Sequence, residues 1–475
     1  MYTKNTKIVC TLGPSSNSIT EITNLVQAGM NVARLNFSHG DYKTHQELIN
    51  NIREVEKLTG KRIGILQDLQ GPKIRLGMLP QEGIELKKND TFILTSKKIT
   101  GKNITRLGRV IPIQFKNFTK GLKKNDTIFF NDGLVEIKVL SIINKEQVRC
   151  SVKCSGMIKS RAGVHLPSAT KNIQTITEKD KKDLAFGLKN NVDYVALSFV
   201  KSAKDIEDLR KLIGSENPKI IAKIELKSAV DNLESIIEAA DGAMVARGDL
   251  GIDVPAEQVP LIQKRIIALS NQYAKPVITA TEVLLSMVVS PRATRAEISD
   301  AANAVLDHTD AIMLSNESAI GKYPAKAAAT LSKVSSAVEK EIQKYPKLFK
   351  NILVRHHDEV TCNPHCHNAC ELSVSTNADH LVVYTSTGYS AREVAKHRIY
   401  TPIITITESE KIARQLTLVW GLNEIFTFKV QANDRDKIGT IVQFLKKQRA
   451  VKKGDKIVII CNAGSKEKLI SNIKI

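Results

Sequence analysis

Short apolar runs recur along this chain, with amphipathic segments between them. The runs are "TKIVCTL" from Thr6, "NVARLNF" from Asn31, "IGILQDL" from Ile63 and "YVALSF" from Tyr194. They continue with "KIIAKI" from Lys219, "GAMVAR" from Gly242, "PVITAT" from Pro276 and "AIMLSN" from Ala311. Each is rich in Val, Ile and Leu, has the length of a strand and does not alternate strictly, which is the pattern of strands covered on both faces. Segments such as "SITEITNLVQAGM" and "PAEQVPLIQKRIIALSNQYA" repeat their apolar residues at three and four and predict helices. Pro255 stands near the start of the second one, a favoured place for proline. Eight strands alternating with helices predict a (β/α)8 TIM barrel, an α/β fold.

Two stretches break that rhythm. The gap between Leu69 and Tyr194 is too long for one crossover. Within it "TFILTS", "TIFFNDGLVEIKVLSII" and "EQVRCSVKCSG" alternate apolar with polar between turn-like "KKND" pairs. That pattern predicts an inserted all-β domain. After the eighth strand a long helix, 325–344, leads to "LVVYTS", "PIITIT", "EIFTFKV" and "KIVIIC", again with helical segments between them. The expected organisation is a barrel built from residues 1–71 and 167–345, an inserted all-β domain over 72–166, and a C-terminal α/β domain over 346–475.

Composition narrows the class. The chain has 475 residues, enough for two to four domains, with 42% apolar residues and no run long enough to span a bilayer. "MYTKNTKIVC" lacks the apolar core of a secretory signal, so a cytoplasmic location is expected. Seven cysteines without framework spacing fit a reducing compartment. The formal charge of +21 raises nucleic acid as a partner. Dispersed lysines seldom interleaved with aromatics favour a basic surface and a site for anionic substrates instead.

In a TIM barrel the chemistry sits at the C-terminal ends of the strands. Those ends carry Arg34, Asn36, Ser38 and His39 (second strand), Asp68 (third), and Lys223 and Glu225 (fifth). The sixth ends in Arg247, Gly248 and Asp249, the seventh in Thr281, the eighth in Glu317. Neighbouring strands lie about 4.8 Å apart, so Glu225 and Asp249 can meet. Two carboxylates that close need a cation between them. An all-oxygen pair without His or Cys suits Mg²⁺ or Mn²⁺ rather than zinc. Lys223, two residues before Glu225, points to the same side and can oppose negative charge developing on a substrate oxygen. Arg34 and Arg75 offer planar forks for phosphate or carboxylate. Gly248 allows close backbone approach, and the N–H groups of Gly248 and Asp249 could receive a carboxylate. An Arg–Asp surface turn is the plainer reading of that triplet by itself.

The segments "TKIVCTLGPSS", "MNVARLNFSHG", "DLQGPKIR", "IAKIE", "MVARGDLG", "KPVITATE" and "PRATRAEISDAANAVLD" together resemble the pyruvate kinase family, over nearly the whole chain. The resemblance implies a TIM barrel with a β domain inserted after the third strand and a C-terminal α/β domain. It also implies phosphoryl transfer from phosphoenolpyruvate to ADP, giving pyruvate and ATP in the last step of glycolysis, in a homotetramer. By that resemblance Glu225 and Asp249 hold the divalent metal. Arg34, Lys223, Gly248, Asp249 and Thr281 bind substrate, with Lys223, Thr281 and Arg34 catalytic. Arg75, His39 and Arg161 meet the nucleotide. Asn36, Ser38, Asp68, Leu69 and Lys73 form the monovalent-cation pocket, and the β domain acts as a lid.

Several positions depart from the family pattern. K⁺-dependent members read Thr-Lys-Gly-Pro-Glu where this chain has Leu69, Gln70, Gly71, Pro72 and Lys73. Lys73 can supply the charge that K⁺ brings, Leu69 removes a hydroxyl ligand, and Leu76 fits the same pattern, so activity without K⁺ is expected. Ala162 stands where the family carries a nucleotide-contacting Lys, with Arg161 beside it as the substitute. Glu282 replaces a common Gln. Thr385, Ser386, Thr387, Gly388 and Ser390 form a candidate loop for the phosphate of a sugar-phosphate or nucleotide effector, with a plain strand-to-helix turn as the alternative. "CNPHCHNAC" crowds His365 and His367 among cysteines. Cys362, Cys366 and Cys370 fall on one helical face, which favours a core stripe over a metal site. Cys150 and Cys154 alternate on a strand and are expected in the core.

Overall fold

The computed structural model describes residues 4–97, 99, 110–131, 133–166, 174–216, 218–345, 363–431, 434, 436–462 and 468–475. Eight parallel strands close into a barrel. They are Lys7–Thr11, Val32–Asn36, Gly64–Asp68, Tyr194–Leu197, Lys219–Ile224, Gly242–Ala246, Val277–Ala280 and Ala311–Leu314. Every run picked out by its apolar pattern is one of these strands. The barrel lumen is packed by Val9, Val32, Leu66, Tyr194, Ile221, Met244, Ile278 and Met313. The larger core lies outside it, between strands and helices. Burial on both faces explains why the strands read as continuous apolar runs.

The helices start where local chemistry says they should. Thr177 and Thr294 each close a reciprocal capping box with Asp180 and Glu297, so two orphan N–H groups are satisfied at each start. Gly29 and Gly60 end two helices in the left-handed conformation.

After the third strand the chain leaves the barrel and builds the lid, a six-stranded sheet and a two-stranded sheet around Leu76, Phe92, Phe118, Phe130, Ile137 and Val152. Cys150 is buried there, as expected. Cys154 is exposed, against expectation. Its strand ends at Val152 and the chain bends, so the alternation that would have turned Cys154 inward is lost.

The C-terminal domain is a five-stranded sheet whose four parallel strands are those expected. A fifth, Lys468–Lys474, pairs antiparallel with Lys456–Asn462 and was not anticipated, because "KLISNIK" is too polar to stand out. Cys366 and Cys370 lie in this domain's core on the helix Pro364–Ser375. Cys362 lies outside the described residues. Among the described residues no helix is long and apolar enough to cross a membrane.

Candidate functional site

The C-terminal ends of the strands carry a connected set of charges. Arg34, in the second strand, grips Asp68 of the third through Nε (2.8 Å) and Nη2 (2.7 Å), and gives Nη1 to the Thr11 hydroxyl at 2.8 Å. Lys223 is the penultimate residue of the fifth strand. Its ammonium lies 2.8 Å from Glu225, 3.3 Å from Asp68 and 2.7 Å from the Ser198 hydroxyl. The same hydroxyl donates to the Leu69 carbonyl at 2.7 Å, and the Phe199 N–H donates to Glu225 at 2.8 Å. Two cations and two carboxylates from the second, third and fifth strands thus alternate, nearly excluded from water. Asp68 was expected in a cation pocket and is found shared by Arg34 and Lys223.

The electrostatics follow from burial. It opposes charge on Asp68, but Lys223 and Arg34 outweigh it and hold the carboxyl below its usual range. It opposes charge on Lys223 as well, and Asp68 with Glu225 raises that ammonium well above the ordinary lysine range. Glu225 goes the other way: burial and the neighbouring Asp249 charge push it up against the pull of Lys223. So Glu225 and Asp249 sense one another's charge, even with Lys223 beside them. Asp249 is half-buried and takes no hydrogen bond among the described residues. A cluster of oxygen donors with one carboxylate unpartnered and its neighbour destabilised fits a hard divalent cation.

The run after the sixth strand is helical, not a turn. Arg247–Asp253 forms a seven-residue helix, and the helix expected from Pro255 begins at Val259 after a short 3₁₀ turn. The Gly248 N–H, expected to face a substrate carboxylate, donates instead to the Thr281 hydroxyl at 2.8 Å. Arg247 reaches back to the seventh strand. Its Nη2 donates to the Thr281 carbonyl at 2.7 Å and its Nη1 to Asp300 at 2.8 Å. Thr281 and Glu282 are both left-handed, with φ of 67° and 53°. That conformation costs a β-branched residue about 1–2 kcal/mol and persists only when its surroundings hold it. Arg247 is the holder. Pattern reading had marked Arg247 only as a strand end; an arginine directly after a buried strand was the available signal.

The lid supplies the other side. Arg75 pairs antiparallel with Gly163, and its guanidinium donates to the Arg161 carbonyl at 3.1 Å. Arg161 is exposed and left-handed (φ 62°) at the turn before Ala162. Burial lowers the His39 imidazole, and Arg75, Lys73 and Arg34 lower it further, so these groups share one electropositive mouth. Lys73 is exposed. Asn36 accepts from the Ser38 N–H at 3.1 Å. Between lid and barrel, Lys73, Ile74, Val164, His165, Phe199, Asp249 and Ile252 enclose a throat of only ≈ 30 Å³. A larger cavity, ≈ 1310 Å³, runs outward from Arg247 and Gly248 past Leu134 and Val259, beside the charged cluster rather than over it. The chemistry, not the volume, marks the site.

The C-terminal loop lies elsewhere. The Thr385 hydroxyl is buried and accepts from the Gly388 N–H at 3.0 Å, and the Thr387 hydroxyl accepts from the Tyr389 N–H at 3.4 Å. Ser386 and Thr387 are exposed, Ser390 is buried, and Gly388 caps a seven-residue helix in the left-handed conformation.

Residues 3–328 match the family model described as pyruvate kinase, barrel domain, and residues 364–474 match that described as pyruvate kinase, alpha/beta domain. A pyruvate kinase of Clostridium acetobutylicum is 40% identical over 462 residues, 96% of this chain and 95% of that protein. One from Staphylococcus epidermidis is 38% identical over 473 residues, 99% of this chain and 80% of its own length. Among solved structures, a pyruvate kinase from Cryptosporidium parvum superposes with a TM-score of 0.89 at 34% identity, covering 99% of this chain and 96% of that one.

Proposed function

The chain belongs to the pyruvate kinase family, and from that premise we propose that it moves the phosphoryl group of phosphoenolpyruvate to ADP with a divalent cation held by Glu225 and Asp249. The observation that carries this reading is the meeting of Lys223, Glu225, Asp68 and Arg34 at one end of the barrel, with Asp249 left open beside them. A bound Mg²⁺ or Mn²⁺ supplies positive charge to the phosphoryl and enolate oxygens. In the transfer, a β-phosphate oxygen of ADP bonds to phosphorus while the bond to the enol oxygen breaks. The enolate then takes a proton at carbon and leaves as pyruvate.

Lys223 faces the charge that develops on the enolate oxygen, and in a buried setting that is worth far more than in water. Arg34, released from part of its grip on Asp68, meets the phosphoryl oxygens. Thr281 stands over the substrate's carboxylate side, near the carbon that is protonated. Arg75, Arg161 and His39 receive the nucleotide phosphates, and Arg161 substitutes for the amine lost at Ala162. Positioning and charge neutralisation carry catalysis in such reactions. The lid opens to load the substrates and closes over them to exclude water.

We infer that K⁺ is not required. The oxygens of its pocket already have donors: Arg34 and Lys223 on Asp68, Ser38 N–H on Asn36, Ser198 on the Leu69 carbonyl. Lys73 adds a covalent positive charge at the same mouth. The chain's place is the final step of glycolysis in the cytoplasm, as a homotetramer. A sugar-phosphate or nucleotide effector at Thr385–Ser390 would have to displace the loop's own hydrogen bonds.

The test is pyruvate formation from phosphoenolpyruvate and ADP with Mg²⁺ in K⁺-free buffer, then with K⁺, beside a Lys223→Met control. Full activity without K⁺, lost in the control, is expected. Activity only with K⁺ would sink the Lys73 argument and leave the enzyme. No activity with folded protein in either buffer would overturn the assignment.

A further inference from the structure

The lid touches the barrel through a pair that the reaction chemistry above does not use. His165 ends the lid strand Val164–His165, and its Nε2 lies 2.9 Å from Oδ1 of Asp253. Both side chains are nearly buried, at 13% and 9% exposure. The other oxygen of Asp253 accepts from the Lys227 N–H at 2.6 Å. Beside the pair, Gly133 of the lid packs on Ile252; a Cβ at Gly133 would lie 3.5 Å from it.

The connections of these residues give the pair its meaning. Asp253 ends the helix that begins Arg247-Gly248-Asp249, one turn beyond Asp249. Lys227 lies two residues after Glu225. One carboxylate therefore joins the loop after the fifth strand to the helix after the sixth, the two elements that present Glu225 and Asp249. On the lid side, Val164 donates to the Ile74 carbonyl at 3.0 Å, and Gly163 pairs with Arg75. His165 thus belongs to the same two-stranded ribbon as Arg75, whose guanidinium donates to the Arg161 carbonyl. Where His165 docks decides where Arg75 hangs over the mouth of the barrel.

We propose that His165 is a positioning residue whose hydrogen bond to Asp253 registers the closed lid on the barrel, placing Arg75 at the mouth where it meets the nucleotide. This rests on the functional reading above. Phosphoenolpyruvate is held by the barrel, whereas the nucleotide needs the lid, so loss of the pair separates the two substrates. Gln can place an N–H where the imidazole Nε2 stands; Leu fills the space without a donor.

The experiment compares wild type, His165→Leu and His165→Gln in steady-state kinetics, thermal melting and hydrogen–deuterium exchange of the strands Thr127–Phe130 and Val135–Asn144. In His165→Leu, kcat is expected to fall about ten-fold and the KM for ADP to rise about ten-fold, the scale on which small misplacements act. The KM for phosphoenolpyruvate stays within about two-fold, the melting temperature holds, and lid exchange quickens. His165→Gln recovers to within about three-fold of wild type. Unchanged kinetics and exchange in His165→Leu would overturn the proposal. So would equal impairment of Gln and Leu, or parallel rises in both KM values with a lowered melting temperature. A wild type that forms no pyruvate would sink the functional reading, while the exchange data would still decide whether His165 registers the lid.

Discussion

The two ends of the barrel carry similar residues and use them differently. At the floor, Asp193 is fully buried and accepts from Arg414 Nε at 2.9 Å, Arg53 Nη2 at 3.1 Å and the Ile65 N–H at 2.9 Å. Asp310 takes both guanidinium nitrogens of Arg398 at 3.1 Å, the Trp420 N–H at 3.0 Å and the Val277 N–H at 3.1 Å. Each of these carboxylate oxygens has its donor, and several donors come from the C-terminal domain. At the top, Asp249 has none among the described residues, and Glu225 is pushed toward its neutral form. Left-handed residues occur at both ends for different reasons. Asn191, Ala274 and His308 follow helices, where that conformation closes the last turn. Phe199, Thr281 and Glu282 follow strands and stand beside the charges. The floor is a closed circuit that fastens two domains, whereas the top keeps open valences and stored strain, the condition of a surface that awaits a ligand.

If this contrast holds, damage to the two ends should separate stability from turnover. Asp310→Ala strips Arg398 of its carboxylate and is expected to destabilise the fold by about 3–5 kcal/mol in urea unfolding, with turnover per folded molecule nearly unchanged. Loss of turnover without loss of stability would break the comparison. Lys223→Met is expected to do the reverse: kcat falls about 10²–10³-fold while the chain melts as a folded protein.

A sharper reading of the floor comes from Lys4, whose ammonium donates to the Thr6 carbonyl at 3.0 Å and to Asn31 at 2.9 Å. Burial lowers it to about 8. Unfolded, it titrates near 10.5. Between those values the unfolded chain binds a proton that the folded chain has released, so stability rises with pH across the window. Relative to Lys4→Met, wild type should gain roughly 2 kcal/mol between pH 7.5 and pH 9.5 in urea unfolding. A flat difference would show that Lys4 keeps an ordinary affinity for its proton. The smallest effect is expected from Arg247→Met. Without its fork, the Thr281–Glu282 backbone relaxes, and kcat should drop about ten-fold with little change in melting temperature. An unchanged kcat would mean that Thr281 needs no holder.

Much of this was legible before any coordinates. Strands buried on both faces declare themselves as Val/Ile/Leu runs, and their ends point to Arg34, Asp68, Lys223, Glu225, Asp249 and Thr281 because parallel barrels expose chemistry only there. Where legibility failed, the local signal was weak or misleading. Cys154 followed the alternation of its strand, but the strand had already ended. The strand Lys468–Lys474 hides in a polar sequence because one face of an edge strand can face water. The Gly248 N–H donates to the Thr281 hydroxyl, a contact between two strand ends that no local pattern announces.

The sequence by itself determined the barrel, the inserted lid, the C-terminal sheet and the kinds of residue at each strand end, because periodicity and composition are local properties. Only the tertiary structure decided which of those residues touch. Arg34 and Lys223 share Asp68, Arg247 holds Thr281, and His165 meets Asp253 across 88 residues of chain. A hydrogen bond is directional and fails within a few tenths of an ångström beyond its range. No pattern along one dimension encodes such a distance; it is set when the packed strands and helices fix every backbone at once.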